Sequence, residues 1–199
     1  MPKIVDHTKN QDLIAKAACS AIAKKGIARF TMRDIASEAN VTTGMITNYF
    51  GNKYEIVEAA LRVPFKNFQR KINLQIVKGN VSLADILDSM IPATRSNAQS
   101  VSAWVSLWGV IATNSEFQKV NEKLHLEALK IYKEALLHAW PESKNWSVDV
   151  LEKVVKAILT MLFGLCAGGV TNPTTWTRSV QREQLQLHLQ LIRAWANSQ

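Results

Sequence analysis

The sequence predicts an all-α fold: a small N-terminal three-helix unit followed by a larger helical bundle, about nine helices in all. Three observations predict it. Apolar residues recur at helical spacing along the chain, and no strand-like alternation persists. The chain holds only 8 Gly and 5 Pro in 199 residues, few for the many turns of an all-β protein. Hydrophobic residues make up 47%, enough to build a core and too many for global disorder.

The elements follow in order. Leu13, Ala17 and Ala21, with Ile14, Ala18 and Ile22 beside them, form the apolar stripe of a first helix. It ends at Lys24 and Lys25, where the helix dipole favours cations, and at Gly26, a C-cap residue. Thr31 starts a second helix, with Asp34 placed to complete a capping box. Asn40 and Val41 make a turn, and a third helix runs from about Thr43 to Tyr49. Gly51 ends it, and Asn52, with Glu55 three residues on, caps a long fourth helix through Phe68 that Pro64 kinks or interrupts. The segment "VKGNVS" (Val77 to Ser82) reads as a linker. A fifth helix starts at Ser82 and stops before Pro92; four more run over about 97–113, 116–139, 147–169 and 177–196. "WPESKNW" and "TNPTTW" read as loops between them. The expected domains are residues 1–52 and 53–199.

The net charge of +8 favours an acidic partner, nucleic acid or an anionic membrane. Cys19 and Cys166 lie in apolar helical patterns away from any Cys/His cluster, so both are expected to be buried free thiols in a reducing compartment. The opening residues lack the apolar core of a signal peptide. The most apolar stretch, "AILTMLFGLCAGGV", is shorter than the roughly 20 residues of a membrane span. A soluble cytoplasmic protein is expected. His7, His125, His138 and His188 are scattered, and no paired carboxylates appear, so no catalytic residue, metal site or cofactor is expected.

Function concentrates in "TMRDIASEANVTTGMITNYFGNK" (Thr31 to Lys53). Two short helices with almost nothing between them fit a helix-turn-helix. Ile35, Ala36 and Ala39 give the first an apolar face, Val41 fills the turn, and Ile46 and Phe50, with part of Tyr49, anchor the second. Thr42, Thr43, Gly44, Met45, Thr47 and Asn48 remain outward. Their hydroxyls and amide can bond base edges or phosphates, Gly44 admits close backbone approach, and Met45 can meet a thymine methyl. Thr31, Arg33 and Lys53 flank this face and suit phosphates. The bland alternative is a tight helical corner in a bundle, which also occurs in proteins that bind no DNA.

These residues resemble the DNA-binding signature of the TetR family of repressors: Thr before the second helix, the Ile-Ala pair, a small-residue turn, Val-Thr-x-Gly, Tyr-Phe, then Lys and an acidic residue. The resemblance covers about fifty N-terminal residues. It implies an all-α homodimer that reads a pseudo-palindromic operator, with Tyr49 among the contacts, and a C-terminal ligand-binding and dimerisation domain. Many members carry Tyr where this chain has Thr47, whose shorter side chain reaches less far. The segment Ala103 to Pro141 is in turn similar to the choline-responsive, BetI-type repressors of glycine-betaine synthesis. The partners implied are double-stranded operator DNA, a second copy of the chain and a small-molecule inducer, with no membrane.

Trp104 and Trp108 are four residues apart and share a helix face. Two indoles can cage a quaternary ammonium by cation–π attraction; Tyr132, Phe163, Trp176 and the loop residue Trp146 are further candidates. Plain core packing explains the same spacing. The last two helices carry apolar residues on more than one face: Leu151, Val155, Ile158 and Leu162, then Leu185, Leu189 and Ile192. These are the expected dimer-interface positions, with Gly164 and Gly168 permitting close helix approach; the alternative is a deep monomer core. Three readings compete: a ligand-released DNA-binding repressor, whether its ligand is a quaternary ammonium or an unrelated apolar molecule; a helical enzyme; and a membrane-surface or partner-binding α-protein.

Overall fold

Helical periodicity becomes nine α-helices among the described residues of the computed structural model, which are 7–79, 82–92 and 95–199, with backbone alone described at 95 and 96. They are α1 (His7–Lys25), α2 (Met32–Ala39), α3 (Thr43–Tyr49), α4 (Lys53–Val77), α5 (Leu83–Leu87), α6 (Arg95–Ile111), α7 (Ser115–Ala139), α8 (Val148–Thr171) and α9 (Arg178–Asn197). No strand occurs among these residues. The first six residues, and Asn80 and Val81 of the expected linker, lie outside the described residues. The chain forms two compact units, Met1–Val63 with Ser102–Leu124, and Pro64–Val101 with His125–Gln199.

In the first unit α1 packs on α2 and α3. Its buried face is Ile14, Ala15, Ala17, Ala18, Cys19, Ala21 and Ile22. Gly26 ends it at φ +79°, in the left-handed region, with its N–H on Ile22 O at 2.8 Å. The capping box forms as expected: Asp34 N–H donates to Thr31 Oγ1 at 3.3 Å, and Thr31 N–H to Asp34 Oδ2 at 2.9 Å. Two ion pairs tie the end of α1 to α2. Lys25 reaches Asp34 at 2.6 Å, and Lys24 pairs with Glu38, which also accepts from Ser20. The Lys25 hydrogen bond holds the Asp34 carboxyl below its usual range, and the Lys24 bond does the same for Glu38. Both acids of α2 are therefore neutralised locally.

The same unit includes the part of α6 that starts at Ser102. Ile27 N–H donates to Ser106 Oγ at 2.7 Å, and the Trp104 indole N–H donates to Leu61 O at 3.2 Å. Leu61 lies one turn before Pro64, which α4 carries inside the helix. Glu58 of α4 pairs with Arg62 and with Lys123 of α7 at 2.6 Å; burial pushes its carboxyl up, but the two cations outweigh this and leave it low.

In the second unit α8 packs along α9. α8 is 24 residues long and, by length and composition alone, long and apolar enough to cross a membrane; the shorter apolar stretch expected from the sequence lies within it. Nine of its residues are buried in the chain. A Cβ on Gly168 would stand 2.9 Å from the Trp176 ring, and one on Gly169 would stand 2.5 Å from Pro92 Cγ and 2.8 Å from Gln181 Nε2. Glycine here permits close approach, whereas a Cβ on Gly164 would meet nothing within 4 Å. The expected loop after α7 is instead a 3-10 helix, Pro141–Asn145, because Pro141 supplies a helical φ at its start. Trp146 anchors its end, ring edge on Trp140 and Nε1 donating to Asn197 of α9 at 3.1 Å.

Arg182 of α9 grips Asp88 after α5 through two bonds of 2.6 and 2.7 Å. That hydrogen bonding outweighs burial and holds the Asp88 carboxyl below its usual 3.8. A carboxyl lowered by folding contributes stability above its unfolded pKa and loses it as pH falls through the folded one. Asp88→Asn should therefore cost about 0.5–1 kcal/mol at pH 7, with half-exposed Arg182 screening the pair, and almost nothing in acid below the carboxylate range. Urea unfolding of both proteins at pH 7 and at steps down to about pH 2 checks this: the cost should shrink as pH falls below the ordinary carboxylate range, and a cost that stays constant throughout would contradict it.

Candidate nucleic-acid interface

The helix-turn-helix is built from a left-handed turn. Asn40 sits at φ 53°, ψ 48°, the one described residue other than glycine with positive φ. Asparagine tolerates this region better than most residues. The turn lets Val41 N–H reach Ala36 O at 3.0 Å, closing α2 two residues before α3 begins at Thr43. Thr42 caps α3, its hydroxyl accepting from Met45 N–H at 3.1 Å. Ile46 is fully buried and Phe50 nearly so, which fixes how α3 rolls on the core. Asn52 and Glu55 form a second box that starts α4: Glu55 N–H donates to Asn52 Oδ1 at 3.0 Å and Gly51 N–H to Glu55 Oε2 at 2.8 Å.

With α3 rolled that way, Thr42, Thr43, Gly44, Thr47 and Asn48 are exposed on one surface, and Met45 and Tyr49 are half-buried at its edges. A Cβ on Gly44 would meet only the Thr42 hydroxyl, at 3.9 Å, so nothing in the chain's own packing demands glycine there. Not every expected hydroxyl stands ready. Thr47 donates its proton to Gly44 O at 3.0 Å and Thr31 donates its own to Asp34 Oδ2 at 2.9 Å. A phosphate only accepts, so either threonine must rotate before it can donate to one. Thr42 uses its oxygen in the cap and keeps its proton. Arg33 is exposed, while Lys53 is half-buried with its ammonium 4.5 Å from the centre of the Phe30 ring.

One contact was invisible in the sequence. Asn10, on the first turn of α1, donates from Nδ2 to the Tyr49 phenol oxygen at 2.8 Å, and the His7 ring meets the Tyr49 ring edge-on. The partners are 39 residues apart, and no spacing rule links them.

The candidate ligand residues divide between the units. Trp104 and Trp108 lie in the first, both half-buried, with Trp104 bound to the α4 backbone. Tyr132, Phe163 and Trp176 lie in the second. Tyr132 is buried edge-on against Phe68, 5.3 Å between centroids, and burial beside Cys166 pushes its phenol far up. Burial likewise pushes the Cys166 thiol up to about 12. Phe163 is 39% exposed with His125 nearby, and Trp176 covers Gly168.

Of the expected interface positions, Leu151, Val155, Ile158, Leu162, Leu185 and Leu189 are buried within this chain's own core, and Ile192 is half-buried. The apolar side chains that α8 and α9 leave exposed are instead Val148, Phe163, Leu187, Leu191 and Trp195. Leu187, Leu191 and Trp195 are four apart and line one face of α9.

Comparison with known proteins adds three findings. Residues 14–60 match the family of bacterial regulatory proteins described as the tetR family, and residues 81–194 match the C-terminal part of BetI-type transcriptional repressors. The HTH-type transcriptional regulator BetI of Vibrio campbellii is 26% identical over 181 residues, 87% of this chain and 86% of the relative. Among solved structures, a TetR-family transcriptional regulator from Rhodococcus superposes with TM-score 0.75 at 18% identity, over 93% of this chain and 98% of that one. A transcriptional regulator from Saccharomonospora viridis in complex with choline superposes with TM-score 0.65 at 16% identity, over 92% and 96%.

Proposed function

The chain belongs to the TetR family of bacterial regulatory proteins, with a C-terminal part of the BetI type, and on that premise we propose that it is a repressor released from its operator by a small cation. In this reading it binds a pseudo-palindromic operator as a cytoplasmic homodimer. The observation that carries it is the surface of α3, where Thr42, Thr43, Gly44, Thr47 and Asn48 stand exposed above a fully buried Ile46. An exposed helix face without a lysine or glutamate suits base edges better than bulk water. Met45 and Tyr49 border that face, and Thr31, Arg33 and Lys53 flank it for phosphates. Residues 1–52 serve as the DNA-binding domain and 53–199 as the ligand-binding and dimerisation domain.

The dimer interface is assigned to α8 and α9. Their exposed Leu187, Leu191 and Trp195, with half-buried Ile192, offer the apolar surface, and the six buried leucine, isoleucine and valine positions support it from beneath. The ligand is assigned to the quaternary ammonium class, choline first. Trp104 and Trp108, in the first unit, are the indoles assigned to it, and Tyr132, Phe163 and Trp176, in the second, are separate aromatic candidates. A ligand releases DNA only if it binds the DNA-incompetent state more tightly.

The test is operator affinity with and without choline. The reading expects choline to weaken binding at least tenfold, and expects Trp108→Ala to lose this response while keeping ligand-free affinity. Operator binding indifferent to choline would overturn the cation assignment and favour an unrelated apolar ligand.

A further inference from the structure

The first turn of α1 and the last residue of α3 meet around one phenol. Tyr49 closes the helix that presents Thr47 and Asn48, so its oxygen lies at the end of the reading surface. Asn10 Nδ2 donates to that oxygen at 2.8 Å. The His7 ring sits edge-on to the Tyr49 ring, 5.0 Å between centroids at 61°. An amide nitrogen only donates, so the phenol oxygen is the acceptor and its own proton is left to donate elsewhere. A phosphate oxygen only accepts. A donor behind the phenol also polarises it, which strengthens the bond it makes in front.

We propose that Asn10 is a positioning residue for DNA binding: from α1 it fixes the Tyr49 phenol as an oriented donor to a backbone phosphate, while His7 holds the ring plane. The inference rests on the regulator reading above and adds to it the start of α1, acting through Tyr49. It assigns a task to a side chain outside the helix-turn-helix itself. Neutral donors release no counterions, so the contact sets affinity without changing its salt slope.

A double-mutant cycle between Asn10→Ala and Tyr49→Phe tests it, with operator affinity and thermal melting measured on each full-length protein. Tyr49→Phe keeps the ring and its His7 contact and removes only the oxygen. Each single variant should bind about tenfold more weakly, the range of a hydrogen bond to a charged group, and the double variant no more weakly than Tyr49→Phe. Asn10→Asp should lose more than Asn10→Ala, because a carboxylate would capture the phenol proton and repel phosphate. Salt slopes should match the wild type in Asn10→Ala and Tyr49→Phe. Unchanged affinity in Asn10→Ala, or losses that multiply in the double variant, would overturn the inference while leaving the regulator reading intact. Wild-type protein without preference for any duplex would sink both. Loss of melting temperature in Asn10→Ala with the cycle additive would likewise overturn it, leaving Asn10 a purely structural contact.

Discussion

Replacing Gly44 by alanine is expected to stabilise the protein and weaken its grip on DNA at once. A methyl group at this position meets only the Thr42 hydroxyl at 3.9 Å, so the folded chain accepts it without strain. Gly44 is the second residue of α3, where alanine gains part of the roughly 1 kcal/mol helix preference over glycine. Melting temperature should rise. The same methyl points out of the exposed face and holds the backbone away from a groove wall, which should cost tenfold or more in operator affinity, about 1–3 kcal/mol. Thr43→Ala and Asn48→Ala should lose comparable affinity with no change in salt slope, because neither side chain carries charge. Arg33→Ala should instead flatten the slope by about 1 and lose affinity for every sequence alike. Opposite signs for stability and binding at Gly44 separate a reading surface from a merely structural corner. Gly44→Ala binding as tightly as wild type would remove close backbone approach from the account.

Phe68→Ala should be the most damaging core substitution, at about 3–5 kcal/mol. Phe68 is 1% exposed and stands edge-on to Tyr132, itself buried. Truncation removes the apolar burial, leaves a cavity and takes away an aromatic partner. A protein of marginal stability loses much of its folded population to a change of that size. Phe68→Leu, which keeps most of the volume, should cost less than half as much. Urea unfolding of the three proteins reads the comparison, and equal costs for leucine and alanine would contradict it. The measurement also bears on Tyr132: if its ring relaxes into the cavity, the Phe68→Ala cost falls toward the lower limit.

Local chemistry was legible in the sequence, and long-range chemistry was not. The Thr31–Asp34 box, the Gly26 cap, the Asn40 turn and the Asn52–Glu55 start of α4 all lie within a few residues, where capping geometry fixes the partner. Asn10 with Tyr49, Trp104 with Leu61, and Gly169 against Pro92 and Gln181 join positions that no periodicity connects. The apolar surplus of α8 and α9 was visible as stripes on more than one face. Which stripe faces inward depends on how each helix rolls on its neighbours, and that roll places Leu185 and Leu189 inside while Leu187 and Leu191 remain outside. Trp104 shows the limit from the other direction. Its spacing with Trp108 suggested a ligand cage, and its indole N–H proved to hold the backbone carbonyl of Leu61. The two roles use different parts of the ring, the nitrogen edge and the π face.

The most direct measurement of the central claim is the affinity of the wild-type protein for duplex from its own upstream region, against a scrambled duplex of equal length, at two salt concentrations. A DNA-reading α3 predicts at least a thousandfold preference for one duplex and affinity that falls steeply as salt rises. Equal binding to both duplexes at either salt would contradict the account and leave Thr31 to Lys53 as a tight helical corner.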